Sequence, residues 1–343
     1  MLIKKEVAEI KKELEESSKP LFFFHDDPDG VCSFLQLYRY VREGHGIIVK
    51  TTPNVDEKFL RKVEEYHPDK IFIVDLAMVE QEFIDKAKTK IIWIDHHEPL
   101  KRHGNIKYYN PRIKHPKSNI PVSYLCHQIV NDDLWIAMTG CIGDWYWPDF
   151  ADKFKKEYPK LIAKPIDDPE VALFTTELGN LVRIFSFVLK GKTRDVMKCI
   201  KVLTRINDPH EILNQESSAG KFIYKRFEKI NKEYQKLLDY AIEEHRLVDD
   251  LLIYTYVHRK ISFTSDLANE LLHRYPNKII LIAREKSGEM RMSLRSKGVK
   301  LPPILKKALK GVEGYGGGHE YACGANVVKM DFDKFVENLR KQL

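Results

Sequence analysis

The sequence predicts an α/β protein with a parallel-sheet domain, a helical connector and a second, smaller α/β domain. Short apolar runs alternate with polar helical segments over residues 21–110, which is typical of a parallel sheet covered by helices on both faces. Helical patterns dominate from Pro121 to about Glu244, and a second alternation of strands and helices begins near Leu251. The predicted segments are a domain over 1–200, a helical connector over 201–248 and a domain over 249–343.

Five strands are predicted in the first domain from short runs rich in apolar and β-branched residues. The segments between the first four strands are long enough for crossover helices, as in "CSFLQLYRYVREG" and "DEKFLRKVEEY". The predicted strands are "LFFFH" (21–25), "GIIVKTT" (46–52), "KIFIVDL" (70–76), "KIIWID" (90–95) and "IKYYN" (106–110).

The second α/β domain is predicted from a similar pattern. Apolar runs at 251–257, 278–285 and 289–296 indicate strands, and "SDLANELLHRY" and "PPILKKALK" indicate helices. The stretch "GYGGGHEYACGAN" (314–326) is predicted to begin with a glycine-rich turn, and a final helix follows it. Ahead of this domain, "GKFIYKRFEKINKEYQKLLDYAIEEH" has the pattern of one long helix.

Composition argues for a folded protein that stays inside the cell. Of the 343 residues, 43% are hydrophobic, and the longest apolar runs are strand-length and too short to span a bilayer. The amino-terminal sequence "MLIKKEVAEIKKELEESS" has the spacing of a surface helix and no apolar signal core. The five cysteines form no CxxC pair and are expected to be reduced. We therefore expect a cytoplasmic protein with no membrane partner, and its net charge of +7 is compatible with a polyanionic partner.

Acidic residues and histidines follow three apolar strands of the first domain. His25 ends the first strand, Asp75 ends "IFIVD", and Asp95 ends "IIWID" directly before His96 and His97. The carboxyl ends of parallel strands lie along one edge of a sheet, where ligands bind, and the segment "TGCIGDWYW" adds a further carboxylate. The side chains expected to come together are His25, Asp27, Asp29, Asp75, His96 and Asp144.

Each of these features has a simpler interpretation when it is taken alone. Asp75 by itself would be a helix cap or a turn residue, and a pair of histidines is ordinarily a surface or core accident. Three such strand ends in one domain favour a metal site instead. In "HDDPDG", residues 25, 27 and 29 are expected to converge on one side of an extended turn, whereas Asp26 points elsewhere.

The predicted ligands are carboxylate oxygens and imidazole nitrogens, which suit a pair of Mn²⁺ or Mg²⁺ ions better than a structural zinc ion. Two ions about 3.5–4 Å apart can activate a water molecule and stabilise both oxygens of a phosphoryl displacement. Asp75 is the expected bridging carboxylate because it lies centrally between the other strand ends. The residues therefore predict a two-metal centre for phosphoryl chemistry.

In combination, these motifs resemble those of the DHH phosphoesterase superfamily. The stretch 314–326 is similar to the GGGHxxAxG signature of the DHHA1 substrate-binding domain, so the resemblance extends over roughly residues 20–330. The order and spacing of the motifs hold across both domains. The matching elements of the first domain are the triplet Asp95–His96–His97, the stretch "HDDPDG", the strand end at Asp75 and the segment around Asp144.

One position favours the RecJ-like branch of the superfamily. Nanoribonuclease-like and cyclic-dinucleotide-cleaving members typically carry an aspartate after the glycine of the first motif, where this sequence has Val31. A carboxylate instead follows His25 by two residues, at Asp27, as in RecJ-like exonucleases and their archaeal relatives. The resemblance implies a compact RecJ-like exonuclease that releases 5′-mononucleotides from single-stranded DNA or RNA, 3′→5′, in DNA repair or replication. The alternative is a nanoribonuclease or a dinucleotide phosphodiesterase.

The resemblance also implies roles for individual residues. His97 resembles the residue that faces the scissile phosphate, and Asp95 is expected to orient a ligand histidine. In the second domain, Arg295 and His319 would hold substrate phosphate while a glycine backbone approaches it closely. The residues implied in substrate binding are Ser293, Arg295, Gly316, Gly317, Gly318 and His319.

The same resemblance implies the cofactors and partners. Two Mn²⁺ ions, with Mg²⁺ as the alternative, would lie on one wall of a cleft between the domains, and the phosphate contacts would lie on the other. The implied substrate is single-stranded nucleic acid. The implied protein partners are a repair helicase or a replication factor, together with a homo-oligomer of the chain itself.

Two further features have open interpretations. The aromatic residues Trp145, Tyr146 and Trp147 follow Asp144 and could stack a terminal base, or they could simply pack at a helix end. The segment 221–236 holds six basic and two acidic residues. It is interpreted first as a solvated charged face of a helix and second as a contact for a nucleic-acid backbone.

Overall fold

The computed structural model describes residues 1–50, 54–257 and 260–343. The chain divides into two compact units, Met1–Phe227 and Glu228–Leu343. All five cysteines are free and buried, as the sequence predicts. Each unit has a sheet of its own.

A five-stranded sheet forms the centre of the first unit. Its strands run parallel in the order β2-β1-β4-β6-β7, which confirms the predicted parallel sheet, and β3 pairs separately with β5. Residues 51 and 52 of the predicted second strand lie outside the described residues. The strands of this unit are β1 (Pro20–His25), β2 (His45–Val49), β3 (Asn54–Val55), β4 (Lys70–Val74), β5 (Met78–Val79), β6 (Lys90–Ile94) and β7 (Ile106–Tyr109).

Helices cover this sheet and dominate the chain from residue 121 to 244, as predicted. Near the amino terminus, α1 buries Ile10, Leu14 and the carboxylate of Glu13, and leaves most of its other charged side chains toward solvent. The helix α2 follows β1 and packs against α5 and α6. The helices are α1 (Lys4–Glu15), α2 (Pro28–Val41), α3 (Leu60–Tyr66), α4 (Gln81–Ala87), α5 (Val122–Val130), α6 (Leu134–Gly143), α7 (Ala151–Glu157), α8 (Pro169–Thr175), α9 (Glu177–Val188), α10 (Thr193–Leu203), α11 (Pro209–Leu213) and α12 (Ser218–Glu244).

The long helix α12 contains the boundary between the two units, which falls between Phe227 and Glu228. The sequence instead predicts a separate connector over 201–248, and that division stays a prediction. Among the described helices, none is by itself long and apolar enough to cross a membrane. By length and composition alone, α8 and α9 taken together would be long and apolar enough, with an 80° bend between them.

The second unit is built on a six-stranded mixed sheet in the order β12-β13-β11-β10-β9-β8. Only β9 and β10 run parallel among these described strands. One face carries an apolar core with α14 and α15, and α13 packs against β10 and β11. The elements are β8 (Arg246–Val248), β9 (Leu251–Val257), α13 (Thr264–Arg274), β10 (Ile279–Lys286), β11 (Glu289–Arg295), α14 (Leu301–Ala308), β12 (Gly314–His319), β13 (Ala322–Val328) and α15 (Phe332–Arg340).

The predicted glycine-rich turn is wrong, because Gly314–His319 forms strand β12 and pairs antiparallel with β13. Backbone pairing explains the difference, since a strand needs only N–H and C=O groups to join a sheet edge. Gly318 has a φ of +147°, and a Cβ there would collide with the carbonyl oxygen of Ala322. Glycine is therefore required at this position of the hairpin.

Candidate metal centre

The polar residues predicted at strand ends lie at the carboxyl-terminal edge of the parallel sheet. His25 is the last residue of β1, Asp75 directly follows β4, and Asp95 directly follows β6. These three strands are neighbours in the sheet. Asp144 comes from the carboxyl end of α6, and its Oδ2 lies 3.7 Å from Nδ1 of His96.

The sequence "HDDPDG" forms the junction between β1 and α2. Asp27 is the N-cap of α2, and its Oδ1 accepts the backbone N–H of Gly30 at 2.9 Å, while Pro28 is the first helical residue. Asp29 therefore lies in the first turn of a helix, and the expected extended turn through residues 25–29 is wrong. The junction is tight, since a Cβ at Gly30 would lie 2.8 Å from the Cβ of His25.

The carboxylate of Asp29 is buried and is held by a second helix. Its two oxygens accept the backbone N–H groups of Val122 and Ser123, each at 2.8 Å, at the start of α5. These donors belong to the unpaired N–H groups of a helix amino terminus, which favour a negative charge. Asp29 is thereby fixed in one orientation beside the strand ends.

Asp75 lies at the centre of the cluster and has an unusual backbone. It is 2% exposed and has a φ of +57°, a left-handed conformation that costs a non-glycine residue roughly 1–3 kcal/mol. Its N–H donates to the carbonyl oxygen of Ile94 at 3.1 Å, which pins the turn to β6. Its Oδ1 lies 3.3 Å from Nε2 of His96, and its Oδ2 lies 3.5 Å from Nδ1 of His25.

Three groups of side chains place their ligand atoms within 4.8 Å of one another, close enough for each group to share one ion. Asp75 belongs to two of the groups, and so does His96, so the three groups adjoin. Among the described residues, Asp26 belongs to none of them, and its carboxylate lies 3.5 Å from Nζ of Lys50. The groups are His25–Asp27–Asp75, Asp75–His96–His97 and Asp29–His96–Asp144.

The donor atoms of this cluster fit a divalent cation. Nδ1 of His25 lies 2.8 Å from Oδ2 of Asp27. Nevertheless, in the part of the chain that the structure describes, neither this nitrogen nor Oδ2 of Asp75 has a hydrogen-bond partner of good geometry. Buried polar atoms of folded proteins are ordinarily paired, and a bound ion would pair both of these. Oxygen and imidazole donors together are suited to Mn²⁺ or Mg²⁺.

Charges within the cluster shift its pKa values in opposite directions. Burial alone would lower the pKa values of His25 and His96, but the neighbouring carboxylates raise them, to about 12 for His25. Burial raises the pKa of Asp144 and, together with the charge of Asp75, raises that of Asp29 to about 7. Burial also opposes ionisation of Asp75, but contacts with His25 and His96 hold its pKa below the usual range. The carboxylates thus favour protonation of the two histidines, and a divalent ion would compete with protons for the same atoms.

Asp95 is fully buried and holds His97. Its Oδ1 lies 2.8 Å from Nδ1 of His97, and its Oδ2 accepts the backbone N–H of the same residue at 3.1 Å. Burial would lower the pKa of His97, but the hydrogen bond with Asp95 raises it. Asp95 is expected to orient a histidine that binds metal, but it contacts His97, which is predicted to face the phosphate, and not the predicted ligand His96.

Two residues that were not predicted to belong to the site, Tyr108 and Asn110, complete the hydrogen-bond network around Asp95 and His97. The hydroxyl of Tyr108 and the amide of Asn110 both approach Oδ2 of Asp95, at 3.2 and 3.3 Å. The amide of Asn110 also donates to the carbonyl oxygen of His97 at 2.9 Å. Asn110 directly follows β7 at the same sheet edge, so the strand-end rule that identified Asp75 would have identified it too.

The predicted substrate-binding residues lie on one sheet of the second unit. Ser293 pairs with Gly324 across β11 and β13, and Gly324 pairs with Gly317 of β12. Arg295 is in register with Ala322, which pairs with His319. Cross-strand partners share a face, so the sheet brings Ser293, Arg295, Gly317 and His319 onto one surface. Gly316 and Gly318 alternate to the opposite face, where their partners Ala325 and Cys323 belong to the apolar core. The guanidinium of Arg295 donates to Oδ1 of Asn269 at 2.6 Å, and the hydroxyl of Ser293 lies 3.1 Å from that of Ser265.

The aromatic residues after Asp144 all have partners within the first unit. Trp145 makes an edge contact with Phe174 at 6.0 Å between ring centroids, and Tyr146 makes one with Tyr124 at 5.7 Å. Nζ of Lys155 lies 5.1 Å from the ring centroid of Trp147. These contacts favour packing at the helix end over base stacking.

Family models match both parts of the chain. The DHH family, N-terminal domain model matches residues 21–139, and the DHHA1 domain model matches residues 252–343. Among curated proteins, no sequence matches this chain.

Similar folds occur among solved structures. RecJ from Thermus thermophilus in complex with Mn²⁺ has a TM-score of 0.69 and 15% identity, over 98% of this chain and 54% of that one, so this chain spans about half of that protein. The same protein has also been solved with Mg²⁺. CDC45 from Entamoeba histolytica has a TM-score of 0.51 and 9% identity, covering 98% of both chains. The pGpG-specific phosphodiesterase PggH from Vibrio cholerae has a TM-score of 0.50 and 13% identity, over 94% of this chain and 98% of that one.

Proposed function

We propose that this chain, which carries a DHH family domain followed by a DHHA1 domain, is a metal-dependent exonuclease. Its substrate is single-stranded DNA or RNA, which it hydrolyses 3′→5′ to 5′-mononucleotides in DNA repair or replication. Its protein partner is a helicase or a replication factor. The RecJ fold over 98% of the chain supports this proposal.

The observation that carries the proposal is the central position of the Asp75 carboxylate, whose Oδ1 lies 3.3 Å from Nε2 of His96 and whose Oδ2 lies 3.5 Å from Nδ1 of His25. A carboxylate with one oxygen toward each of two ligand sets is suited to bridge two neighbouring ions, and a pair of ions is the arrangement used for phosphoryl displacement. When bound, two Mn²⁺ ions would stabilise the charge that develops on the attacking and leaving oxygens and would activate water. The residues proposed to hold them are His25, Asp27, Asp29, Asp75, His96 and Asp144.

The remaining residues position the substrate. His97 directs a ring nitrogen toward the scissile phosphate while Asp95 fixes its other nitrogen and its tautomer. In the domain proposed over 249–343, Arg295 and His319 hold a phosphate group, and Ser293 and the backbone of Gly316, Gly317 and Gly318 approach it. The proposal requires both this domain and the domain over 1–200 to contact the same strand, with the segment 201–248 as their connector.

Single-stranded DNA and RNA oligomers labelled at either end test the proposal, in the presence of Mn²⁺ and of a chelator. A 3′→5′ exonuclease releases a mononucleotide at once from the 3′-labelled strand and gives a ladder from the 5′-labelled strand. Chelator should stop both reactions. A ladder from the 3′-labelled strand would reverse the polarity, and activity that persists in chelator would contradict the metal-dependent mechanism.

A dinucleotide phosphodiesterase is the second candidate, favoured by the full-length likeness to a pGpG-specific enzyme. Against it, the residue after the glycine of the first motif is Val31, where such enzymes typically carry an aspartate. Val31 is fully buried in α2 and offers no carboxylate. Rates on a dinucleotide and on an oligonucleotide of roughly thirty residues, long enough to cover several site sizes, separate the two candidates. Rapid cleavage confined to the shortest substrates would replace the exonuclease by this alternative.

A further inference from the structure

The sheet face opposite the core formed with α14 and α15 holds buried Ile280 and Ile282 as well as polar residues, and α13 packs against its strands β10 and β11. Register across five strands aligns Tyr256, Arg284, Arg291, Asn326 and Tyr315 in a single row. Because cross-strand partners lie on the same face, this row places two guanidinium groups side by side. This row is distinct from the row of Arg295 and His319, the residues of the same face that are proposed to hold a phosphate group.

A cavity of about 390 Å³ opens on this row. Its walls combine two cations, hydroxyl groups, an aromatic ring and exposed backbone, a mixture suited to a phosphate with its attached nucleoside. A Cβ at Gly317 would meet nothing within 4 Å, so packing does not require glycine there and the backbone is open to a ligand. The lining that matters here is Ser262, Thr264, Arg284, Arg291, Tyr315 and Gly317.

Arg284 is the decisive residue of this cavity. It is 8% exposed, and its Nε is buried with no hydrogen-bond partner among the described residues. Other arginines of the same sheet differ, since Arg291 is paired with Glu289 and Arg295 is bonded to Asn269. A buried cation without a partner is costly, and a bound anion would remove that cost.

The amino terminus of α13 adds to the positive potential of the cavity. This eleven-residue helix begins at Thr264, and no side chain caps it. Unpaired N–H groups at such a terminus favour an anion. The acidic side chains nearby act on other cations: Glu289 pairs with Arg291, and Asp266 contributes to the charge around Arg295.

We propose that this cavity binds a phosphate group of the nucleic-acid strand, with Arg284 as its counter-charge and Tyr315 as a stacking surface for the adjoining base. The inference rests on the proposed function. Tyr315 is 71% exposed and is therefore free to receive a base. The rows of Arg291 and Arg295 are four residues apart on β11, about 13 Å at 3.3 Å per residue. Gly317, proposed above to approach the phosphate at Arg295, also lines this cavity and lies in the row between those two, so the two phosphate sites adjoin. A phosphate at Arg284 is nevertheless distinct from the one at Arg295, and only a strand longer than a dinucleotide reaches both.

Equilibrium binding tests the site with the full chain, in chelator so that no substrate is consumed. The probes are fluorescent single-stranded oligonucleotides, a dinucleotide and the long strand described above, titrated at several salt concentrations. Arg284→Gln should weaken binding of the long strand roughly tenfold, as expected for a charged hydrogen bond, and leave the dinucleotide unaffected. The slope of log affinity against log salt should fall by about 0.7, the value for one phosphate contact on a single strand. Arg284→Lys should restore part of the affinity and the slope.

Arg340→Gln is the matched control, because it removes the same charge from α15, on the layer across the apolar core. It should bind as the wild type does. Arg284→Gln should also melt no lower than the wild type, since it removes an unpaired buried charge. A lower melting temperature with an unchanged salt slope would show a structural role and overturn the inference.

Failure of the inference and failure of the proposed function give different results. If Arg284→Gln binds and cleaves the long strand as the wild type does, the site is wrong and the exonuclease stands. If the wild type cleaves only the dinucleotide and does not bind the long strand, the exonuclease is wrong and the inference falls with it.

Discussion

The two edges of the parallel sheet treat buried carboxylates in opposite ways. At the amino-terminal edge, Glu13 of α1 is surrounded by three lysines from the amino-terminal ends of neighbouring strands: Lys70 at 3.0 Å, Lys107 at 3.1 Å, and Lys90. At the carboxyl-terminal edge, the carboxylates of the metal cluster face histidines and one another. Among the described residues, no lysine or arginine pairs with Asp75.

This difference separates structural from functional charge. A buried carboxylate that has cationic partners within the chain is balanced when the protein folds, and nothing further is needed. A cluster that lacks them, and whose central residue also keeps a strained backbone, is balanced only by protons or by an added cation. The comparison therefore points to the carboxyl-terminal edge as the candidate metal site without reference to any relative.

The largest expected effect is the loss of hydrolysis in Asp75→Asn, and the same substitution at the other end of β4 serves as its control. Asp75→Asn should reduce hydrolysis by roughly 10³-fold or more, because the shared ligand is lost. Asparagine tolerates the left-handed backbone of this position, so the variant should remain folded. The measurement is turnover of a labelled single strand at saturating Mn²⁺.

Asp69→Asn is the matched control for that experiment. Asp69 precedes β4 and accepts the backbone N–H groups of Ser18 and Lys19 at 2.7 and 3.0 Å. Its replacement should lower stability by about 1 kcal/mol and leave turnover unchanged. Full activity of Asp75→Asn, or inactivity of a folded Asp69→Asn, would end the proposed contrast between the two edges.

Metal addition should stabilise the carboxyl-terminal edge alone. Mn²⁺ at about 100 times its dissociation constant should raise the free energy of unfolding by about 2.7 kcal/mol, and chelator should reverse the gain. Glu13→Gln should keep this response, whereas Asp75→Asn should lose most of it. Because protons compete for the same ligands, the response should weaken as the pH falls. Thermal unfolding of each protein with and without Mn²⁺ measures the response.

A smaller effect is expected where a residue acts through its neighbour. Asp95→Asn should lower turnover roughly 10–100-fold, since His97 loses the carboxylate that fixes its tautomer. Tyr108→Phe removes one donor from the same carboxylate and should cost less. Stabilisation by Mn²⁺ should persist in both variants, and its loss in Asp95→Asn would make Asp95 part of the metal site itself.

Sequence reasoning succeeded where a feature depends on periodicity and failed where it depends on backbone pairing. Apolar runs predicted the parallel sheet, and strand ends predicted which side chains of the first unit would meet. The strand at Gly314–His319 was missed because its glycines carry no pattern and its partner β13 supplies the pairing. The helical start at Pro28 was missed although Asp27 and Pro28 are ordinary signals for one.

Contacts made by residues distant in sequence could not be predicted from any local pattern. Glu13 meets Lys70, Lys90 and Lys107 only because α1 crosses the amino ends of three strands. In the second unit, Arg284 is unremarkable in sequence. Its importance follows from burial and from the lack of a partner for its Nε in the described structure.

The last prediction concerns Glu13 at the amino-terminal edge and the pH dependence of the free energy of unfolding. Burial of Glu13 would raise its pKa, but bonds from Lys90, Lys70 and Lys107 lower it to about 2. A pKa below its unfolded value gives stability that is present above about pH 4.3 and is lost as the pH falls through the folded value. Partial exposure of Lys90 and Lys107 reduces the effect, so Glu13→Gln should cost about 1–2 kcal/mol at neutral pH.

The difference between Glu13→Gln and the wild type should shrink as the pH falls from about 4.3 and should vanish below about 2, because the folded wild-type carboxylate is half protonated at about pH 2 and neutral below it. Denaturant unfolding of both proteins from neutral pH downward measures it, with turnover at neutral pH as the control. A pH-independent difference would mean that Glu13 stabilises the fold by packing rather than by charge. Loss of turnover in a folded Glu13→Gln would mean that the two edges of the sheet are not independent, and the contrast between structural and functional carboxylates would no longer hold.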